Sequence, residues 1–368
     1  MTNTAPRATG RPPLRFASAT VAIAALGLLW AALAPSGAGG QEEVGTEAEY
    51  ALRKPLAGNS LLLDGAAAGD LLVAVGARGH ILHSRDQGAT WTQAESVPTR
   101  AALTAVFLHD DKLGWAVGHD ATIVHTRDGG VTWELQYSAP EEQLPLLDVW
   151  FEDANRGVAV GAYSYFLETT DGGSNWSVAD FAPTAIEDEE DEEAASGEDD
   201  DPYGYGYDEG GDNHLNHIAR SETGRLYLAA EAGTAYRSDD QGDTWVTLPS
   251  PYEGSFFSSL PLDNDSLLLF GLRGHLFRSE DAGETWRAID LGTQAILTDG
   301  IRYADGTIVI VGLEGTLLVS RDGGETFSLA AQADRQGYSS VLPLADGGLV
   351  LFGEFGVTVL SASVLEGD

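Results

Sequence analysis

A short motif of the form Ser/Thr-x-Asp-x-Gly-x-Thr-Trp returns along this chain at a nearly constant interval. Successive copies are 42, 43, 69, 41 and 41 residues apart, as counted between Asp86, Asp128, Asp171, Asp240, Asp281 and Asp322. The one long interval contains an insertion, residues 187–212, that accounts for the excess. A seventh unit keeps only the part before the motif, because residues 353–361 align with residues 312–320. Such a repeat of short alternating runs predicts a fold built from repeated β units.

Each unit contains four short alternating runs, which in the second unit are residues 103–108, 115–118, 122–126 and 133–137. Four strands in about 42 residues is the size of a propeller blade, and seven blades close a ring without a long exposed edge. The sequence therefore predicts an all-β fold, a single seven-bladed β-propeller of four-stranded blades over residues 44–362. We name the strands of each blade A to D from the axis outward.

Closure of the ring needs a strand from elsewhere in the chain. Only residues 362–368 follow the last predicted strand, too few for an outer strand D of blade seven with its turn. The segment of residues 47–56 precedes the first strand A, which begins near Ser60. We predict that this N-terminal segment completes blade seven.

The repeated motif falls at the turn between strands C and D and is an Asp box. Its carboxylate can accept hydrogen bonds from the backbone of its own turn, and its glycine supplies a positive φ. Its tryptophan begins strand D and packs between blades. Since six blades carry the motif and an active site needs one copy, we interpret the six aspartates as structural.

The N-terminus has the pattern of a Sec signal peptide. Arg7, Arg11 and Arg15 come first, 19 uncharged and mostly apolar residues follow from Phe16 to Ala34, and small residues stand before position 39. We predict a signal peptide over residues 1–38 and a periplasmic protein. An uncleaved membrane anchor is the alternative, because 19 apolar residues suffice to span a bilayer.

Composition excludes several classes of function. The chain has 20 basic and 57 acidic residues, a formal net charge of −37, and this charge repels nucleic-acid phosphates. It has no cysteine, which excludes disulfides, thiolate metal sites and a cysteine nucleophile. No cofactor, metal, nucleic-acid or small-molecule site is predicted, and the expected state is a monomer.

Residues 187–212 form an acidic insertion between blades three and four. The segment holds 14 acidic residues and no basic residue, so we predict a disordered loop. Weak capture of divalent cations and docking of a basic partner are the two functional alternatives.

Candidate binding residues lie at the B–C turns, which share one face of a propeller with the D–A connections. Side chains on these turns converge around the channel mouth. In a chain with few cations, arginines on this face are candidates for gripping a carboxylate or a phosphate. We predict a partner-binding rim formed by Arg78, Arg273, Tyr163 and Tyr165. The alternative is that these residues only form solvent-exposed turns.

Two other kinds of site receive little support. Propellers with Asp boxes include sialidases, so a sialidase-like glycoside hydrolase is the alternative function. The chain lacks the Arg-Ile-Pro segment of that family and any paired carboxylates that we can place at glycosidase separation, and we predict that it is not an enzyme. His214 and His217 are expected on opposite faces of a strand, which argues against a metal site.

Several strings resemble the photosystem II assembly/stability factor family, and more closely its proteobacterial relatives. They are Val75–Ser84 with Gly-Ala-Arg-Gly-His, Gly114–Asp120 with Trp-Ala-Val-Gly-His-Asp, Pro145–Phe151, and Arg273–Ser279 with Arg-Gly-His. The resemblance covers about residues 45–362 apart from the acidic insertion.

The resemblance implies a non-catalytic seven-bladed propeller that assists assembly of a membrane protein complex through an arginine patch. Arg78 and Arg273 match the family's Gly-x-Arg-Gly turns, so it is to these two residues that the implied binding role is transferred. Relatives in non-photosynthetic bacteria resemble periplasmic companions of RND-type exporters. The expected partner is therefore a membrane protein subunit or complex. This chain departs from the plastid pattern in its acidic insertion and in Glu314 and Glu354 at the turns of blades six and seven.

Overall fold

A computed structural model describes residues 49–185 and 213–366, which form seven β-sheets, one for each repeat. The predicted seven-bladed propeller is confirmed. The predicted signal peptide, residues 1–38, and the acidic insertion, residues 187–212, lie outside the described residues. Within the described ranges, no helix is long and apolar enough to cross a membrane.

The blades follow one another along the chain. Blades one to three consist of β1 (Leu62–Ala68), β2 (Leu71–Gly76), β3 (Ile81–Ser84) and β4 (Thr92–Gln93); β5 (Leu103–Leu108), β6 (Gly114–Gly118), β7 (Thr122–Thr126) and β8 (Glu134–Tyr137); and β9 (Leu146–Phe151), β10 (Gly157–Gly161), β11 (Phe166–Thr169) and β12 (Ser177–Ala179). Blade four consists of β13 (Thr184–Ala185), β14 (Leu215–Arg220), β15 (Leu226–Ala230), β16 (Ala235–Ser238) and β17 (Val246–Thr247), with β13 added parallel to β17.

Blades five to seven consist of β18 (Phe256–Pro261), β19 (Leu267–Gly271), β20 (Leu276–Ser279) and β21 (Arg287–Ile289); β22 (Leu297–Arg302), β23 (Ile308–Gly312), β24 (Leu317–Ser320) and β25 (Ser328–Leu329); and β26 (Tyr338–Pro343), β27 (Leu349–Gly353) and β28 (Gly356–Leu360). Short 3₁₀ helices cover Ala57–Asn59, Ala77–Gly79, Ala162–Ser164 and Leu272–Gly274, and α1 covers Ser363–Glu366.

The core lies between the blades. Every residue of the B strands is buried, and these strands are continuous apolar or glycine runs, such as Leu71–Gly76 and Ile308–Gly312. A sheet covered on both faces takes such a run in place of alternation. Blades two and three illustrate the packing, because the Trp115 and Phe151 rings stack with centroids 3.5 Å apart.

The N-terminal segment lies against blade one, which differs from the prediction that it completes blade seven. The Ala51 amide donates to the Val97 carbonyl at 2.9 Å, and the Arg100 guanidinium holds both the Tyr50 carbonyl and the Glu49 carboxylate. Ala51 also packs on the apolar cluster between blades one and two. These polar and apolar contacts with blade one give the segment its position. Among the described residues, the sheet of blade seven has three strands, β26 to β28.

The ring closes by packing of blade seven on blade one. Leu62, Leu72 and Leu82 share one apolar cluster with Val350 and Phe352. The Ser339 hydroxyl donates to the Leu62 carbonyl at 2.7 Å. Within the described chain, closure therefore rests on side-chain packing and side-chain hydrogen bonds between the first and last blades.

Candidate partner-binding face and axial channel

The B–C turns repeat one backbone conformation around the ring. The same turn position is left-handed in six blades, with φ of 60° at Arg78, 59° at Asp120, 54° at Tyr163, 52° at Ala232, 58° at Arg273 and 59° at Glu314. This conformation costs a residue with a side chain roughly 1 kcal/mol, and glycine would avoid the cost. The turn directs these side chains into solvent, since Arg78, Tyr163 and Arg273 are exposed.

The two turn arginines differ from most other arginines in having no acidic partner. Among residues 49–185 and 213–366, neither Arg78 nor Arg273 forms an ion pair. The paired arginines are Arg85, Arg100, Arg156, Arg225, Arg237, Arg278, Arg287, Arg302 and Arg335. In a strongly acidic protein, an unpaired exposed guanidinium can bind an external carboxylate without first losing an internal one.

The two candidate tyrosines lie in different surroundings. The Tyr163 ring is 58% exposed and meets the His214 ring edge-on, with centroids 4.9 Å apart. Tyr165 is half-buried in the cluster between blades two and three, and its hydroxyl is 2.9 Å from that of Tyr137. Burial and this hydrogen bond raise the pKa of Tyr165 above its usual value. Tyr163 is therefore the tyrosine available at the rim, and Tyr165 supports the packing beneath it.

His80 and His275, which lie two residues after the turn arginines, differ in exposure. His80 is buried at 5% exposure, and its Nδ1 is 3.0 Å from the Ser60 hydroxyl. Burial lowers the pKa of His80, helped by the charges of Arg78 and Lys54. His275 is exposed, and its ring lies against that of Tyr252 with centroids 4.2 Å apart. The same Arg-Gly-His string is thus covered in blade one and open in blade five.

Acidic turn residues of the same face are engaged in internal contacts. Glu314 pairs with Arg335, Glu231 lies 3.4 Å from His214, and the Glu354 carboxylate accepts the Gly337 amide at 3.2 Å. The unpaired charge among the B–C turns is therefore concentrated on the arginines of blades one and five and on Asp120 of blade two.

On the opposite face, the aspartates of the C–D turns hold their own loops. Asp86 Oδ1 accepts the Ser84 hydroxyl at 2.8 Å and the Thr90 amide at 2.9 Å, while Oδ2 accepts the Thr90 hydroxyl at 2.6 Å. The same contacts recur at Asp128, Asp171, Asp240, Asp281 and Asp322, with Asn175 in place of threonine in blade three.

The hydrogen bonds of these turns stabilise the ionised carboxylates. The hydroxyl and amide of Thr90 lower the pKa of Asp86. The equivalent groups of Thr326 lower the pKa of Asp322 to about 2. Because each carboxylate is already occupied by its own loop, this geometry fits a structural role.

The axis of the ring holds a cavity of about 670 Å³ lined by residues of the A strands. The register of every A strand shifts near its start, so that the third residue of each occupies an equivalent place. These residues are Asp64, Ala105, Asp148, His217, Ser258, Asp299 and Ser340.

The three channel aspartates join neighbouring blades. The Asp64 carboxylate accepts the Val106 amide of blade two at 2.9 Å. Asp148 accepts the Ile218 amide of blade four at 2.7 Å, and Asp299 accepts the Val341 amide of blade seven at 2.9 Å. Each also accepts the amide of the residue that follows it. Their carboxylates are thereby committed to holding A strands together.

Burial in the channel raises the pKa of all three carboxyl groups, so that they stay protonated at a higher pH than an exposed aspartate does. Burial, reinforced by the charge of Asp299, raises the pKa of Asp64 to about 8. Burial raises the pKa of Asp148 to about 7 and also raises that of Asp299. Burial lowers the pKa of His217. At neutral pH the channel therefore carries less charge than its composition indicates.

Ser340 lies between two of these carboxyl groups, with its Oγ 3.0 Å from Asp64 Oδ1 and 2.9 Å from Asp299 Oδ2. A hydroxyl has one hydrogen and can donate to only one of them. The other contact is a hydrogen bond only when its carboxyl group is protonated and donates to Ser340. Proton counting thus agrees with the direction of the two pKa shifts.

The channel aspartates were not identified as candidates from the sequence. The available signal was their common column in the aligned repeats, where Asp64, Asp148 and Asp299 each occupy the third position of strand A. An acid recurring on the innermost strand of several blades would have indicated either a satisfied structural contact or a functional group.

The two histidines of blade four lie in different places, because His214 precedes β14 and His217 is within it. His214 faces the rim, where it meets Tyr163 and Glu231, whereas His217 lines the axial cavity. In the described part of the chain, no group of three or more histidines and acids is arranged to hold a metal ion.

These features define the class of the protein as a seven-bladed β-propeller. The C–D turns on one face are held by hydrogen bonds within each turn, and the B–C turns on the other face carry two unpaired arginines. No protein-family profile matches the sequence, and no curated protein matches it.

Solved structures do resemble it. A structure described as YCF48 bound to D1 peptide superposes with a TM-score of 0.63 at 17% identity, covering 85% of this chain and 96% of that chain. YCF48 from Cyanidioschyzon merolae gives 0.63 and 17%, with coverages of 84% and 98%. A streptogramin B lyase gives 0.63 at 12% identity, covering 84% and 97%. At these identities, the likeness establishes the fold alone.

Proposed function

We propose that this protein is a non-catalytic, protein-binding propeller that serves as an assembly or accessory factor for a membrane protein complex. The observation that carries the proposal is the pair of exposed, unpaired arginines, Arg78 and Arg273, on equivalent left-handed turns of a strongly acidic molecule. The similarity to a propeller described as bound to a D1 peptide supports a protein ligand.

The finer parts of the proposal follow from the sequence. The signal-peptide pattern of residues 1–38 supports a periplasmic location, with a membrane anchor as the alternative. The partner is a membrane protein subunit, of photosystem II in a photosynthetic host or of an RND-type exporter elsewhere. Tyr163 contributes an aromatic contact beside the arginines, and Tyr165 maintains the turn that presents it.

The channel aspartates do not support the alternative function, a glycoside hydrolase. Hydrolysis needs a general acid and a second carboxylate that are free to reach a sugar. Asp64, Asp148 and Asp299 each accept two backbone amides and join blades. Their arrangement serves the ring, so we assign them no catalytic role.

Reversal of the two arginine charges tests the proposal. The tagged full chain is mixed with detergent-solubilised host membranes and purified. We expect Arg78→Glu with Arg273→Glu to reduce co-purification of a membrane protein at least tenfold, because the two charge contacts with the partner are lost. Thermal stability should not change, because both side chains are exposed and unpaired.

The matched control reverses two exposed arginines on the opposite face that form no ion pair among the described residues, Arg127→Glu with Arg321→Glu. These changes alter the net charge equally and should leave co-purification intact. Equal losses in both double variants would indicate a general charge effect and would reject the rim. Turnover of a glycoside substrate panel by the purified chain would reject the non-catalytic assignment.

A further inference from the structure

Blades one and five carry the same turn, but only blade one has its flank covered. A groove runs beside the turn, between the outer strand and the connection to the next blade. In blade five this groove is an open cavity of about 600 Å³, whose lining includes Arg273, Gly274, His275, Ala288, Asp290 and Thr293. In blade one the chain's own residues 49–54 occupy the equivalent groove.

The two grooves correspond residue by residue. A Cβ on Gly79 would lie 2.3 Å from the Thr99 carbonyl, and a Cβ on Gly274 would lie 2.4 Å from the Thr293 carbonyl. Both glycines are left-handed, with φ of 69° and 71°. The floor of each groove is therefore made by a glycine in close contact with the connection that follows.

Residues 49–54 show how blade one binds an extended segment. A Cβ on Gly79 would lie 3.3 Å from the Ala51 side chain, so the small alanine rests on the glycine. The Gln93 amide clamps the main chain, because its Oε1 accepts the Lys54 amide at 2.8 Å and its Nε2 donates to the Leu52 carbonyl at 3.0 Å. The Ala51 amide adds its bond to Val97.

Other blades fill this space with their own connections. In blade two, Ala121 and Asp120 exchange backbone hydrogen bonds with Leu144 and Ala139 of the connection. In blade six, the Gly315 amide donates to the Gln336 carbonyl, and the Gly315 carbonyl accepts the Gln332 amide. The open groove of blade five is thus a place where the fold elsewhere puts a polypeptide.

We propose that the groove of blade five binds an extended peptide segment of a partner protein, with a small residue on Gly274 and an acidic residue near Arg273. In blade one this place is taken by Lys54, which lies close enough to His80 to lower its pKa. In blade five the corresponding cavity is lined by Arg273 and His275, and also by Asp290, which would repel an acid. The acidic residue of the peptide is therefore expected against the Arg273 guanidinium. This inference rests on the proposed function for the partner's being a protein, and it adds where and in what form that partner binds.

The probe is a labelled, capped peptide of residues 49–54 with the substitution Lys54→Glu, titrated against the full chain by fluorescence anisotropy. We expect saturable binding at one site. Arg273→Glu should weaken binding of this peptide at least fivefold more than it weakens binding of the unaltered peptide with Lys54. Hydrogen exchange should show protection over residues 273–294.

A gain of function gives the sharpest test. Ala288 occupies the place of Gln93 and is exposed, so Ala288→Gln supplies the missing amide clamp without disturbing the core. Two added hydrogen bonds should tighten binding about tenfold. Val178→Gln, at an exposed position on an outer strand of blade three, is the control and should change nothing.

Three results would overturn the proposal. They are no binding of the peptide at millimolar concentration, binding that Ala288→Gln and Arg273→Glu leave unchanged, and protection confined to residues 93–100 of blade one. Self-association of the Ala288→Gln chain in sedimentation, without peptide binding, would assign the groove to a second copy and would also reject it. If any of these results is obtained but co-purification still depends on Arg78 and Arg273, the groove is rejected and the proposed function is retained.

Discussion

Aspartates of two kinds, with opposite shifts in pKa, stabilise this molecule. Those of the C–D turns are ionised and accept hydrogen bonds from their own loops, and this lowers the pKa of Asp322 to about 2. Those of the channel are enclosed, and burial raises the pKa of Asp64 to about 8. The two kinds therefore affect the free energy of unfolding in different pH ranges.

The channel aspartates predict that the propeller loses stability as the pH rises from 5 to 9. In the unfolded chain Asp64 and Asp148 lose their protons near pH 3.8, whereas in the folded chain they keep them to about pH 8 and 7. The folded state binds more protons across this window, so the free energy of unfolding falls as the pH rises, by more than about 1 kcal/mol. Urea unfolding at several pH values measures the slope.

Variants assign this slope to the channel. Asp299→Asn should flatten it, because one group of the Asp64–Ser340–Asp299 chain no longer titrates. Asp322→Asn should lower stability at every pH above about 4 and leave the slope between pH 5 and 9 unchanged. An equal slope in wild type and Asp299→Asn would contradict the assignment.

At the scale of single elements, the N-terminal segment is held on blade one by a few specific contacts. Gln93 provides two hydrogen bonds to its main chain, and Ala51 provides its contact with the core. The segment then passes the seam, where a Cβ on Gly356 of blade seven would lie 1.8 Å from the Gly58 carbonyl. Opening of this segment is therefore expected to be a local event with its own free energy.

The contacts of Gln93 predict that Gln93→Ala frees residues 49–54 while the ring stays folded. The Lys54 amide and Leu52 carbonyl lose their partners, and the lost bonds should speed amide exchange in the segment about tenfold or more. Hydrogen exchange with mass spectrometry measures this. Thr92→Ala, at the exposed neighbouring position, should leave exchange unchanged. A coincident loss of protection throughout the ring in Gln93→Ala would show that the segment is part of the global fold.

The elements differ in how well the sequence predicted them. The spacing of the motif and the continuous apolar B strands were enough for seven blades, because both are local and repeated. The place of residues 49–56 was not predictable from chain length alone, since it depends on Gln93, Val97 and Arg100 across the groove. The role of Asp64 was missed because its partner, the Val106 amide, belongs to another blade.

At the scale of the whole molecule, closure depends on the seam between blades seven and one. Phe352 is fully buried there and meets the Trp91 ring edge-on, with centroids 5.6 Å apart. Phe355, three residues along, is 63% exposed. Blade seven thus contains one buried and one exposed phenylalanine, which can be compared directly by substitution.

Because the seam is packed like the other interfaces, Phe352→Ala should lower the free energy of unfolding of the entire ring. We expect a loss of about 3–5 kcal/mol in a single cooperative transition, as for other buried phenylalanines. Phe355→Ala should change it by less than about 0.5 kcal/mol. Two separate transitions in the calorimetry of Phe352→Ala would instead indicate that blade seven folds independently of the ring.

Recognition on the arginine-bearing face is the central claim, and cross-linking in native membranes tests it most directly. A photoreactive amino acid at position 163 lies on that face, and one at the exposed position of Ala89 lies on the C–D turn face. We predict that position 163 cross-links a membrane protein, that Arg78→Glu with Arg273→Glu abolishes the cross-link, and that position 89 gives none. The same adduct from position 89, or an adduct from position 163 that survives reversal of both arginines, would contradict it.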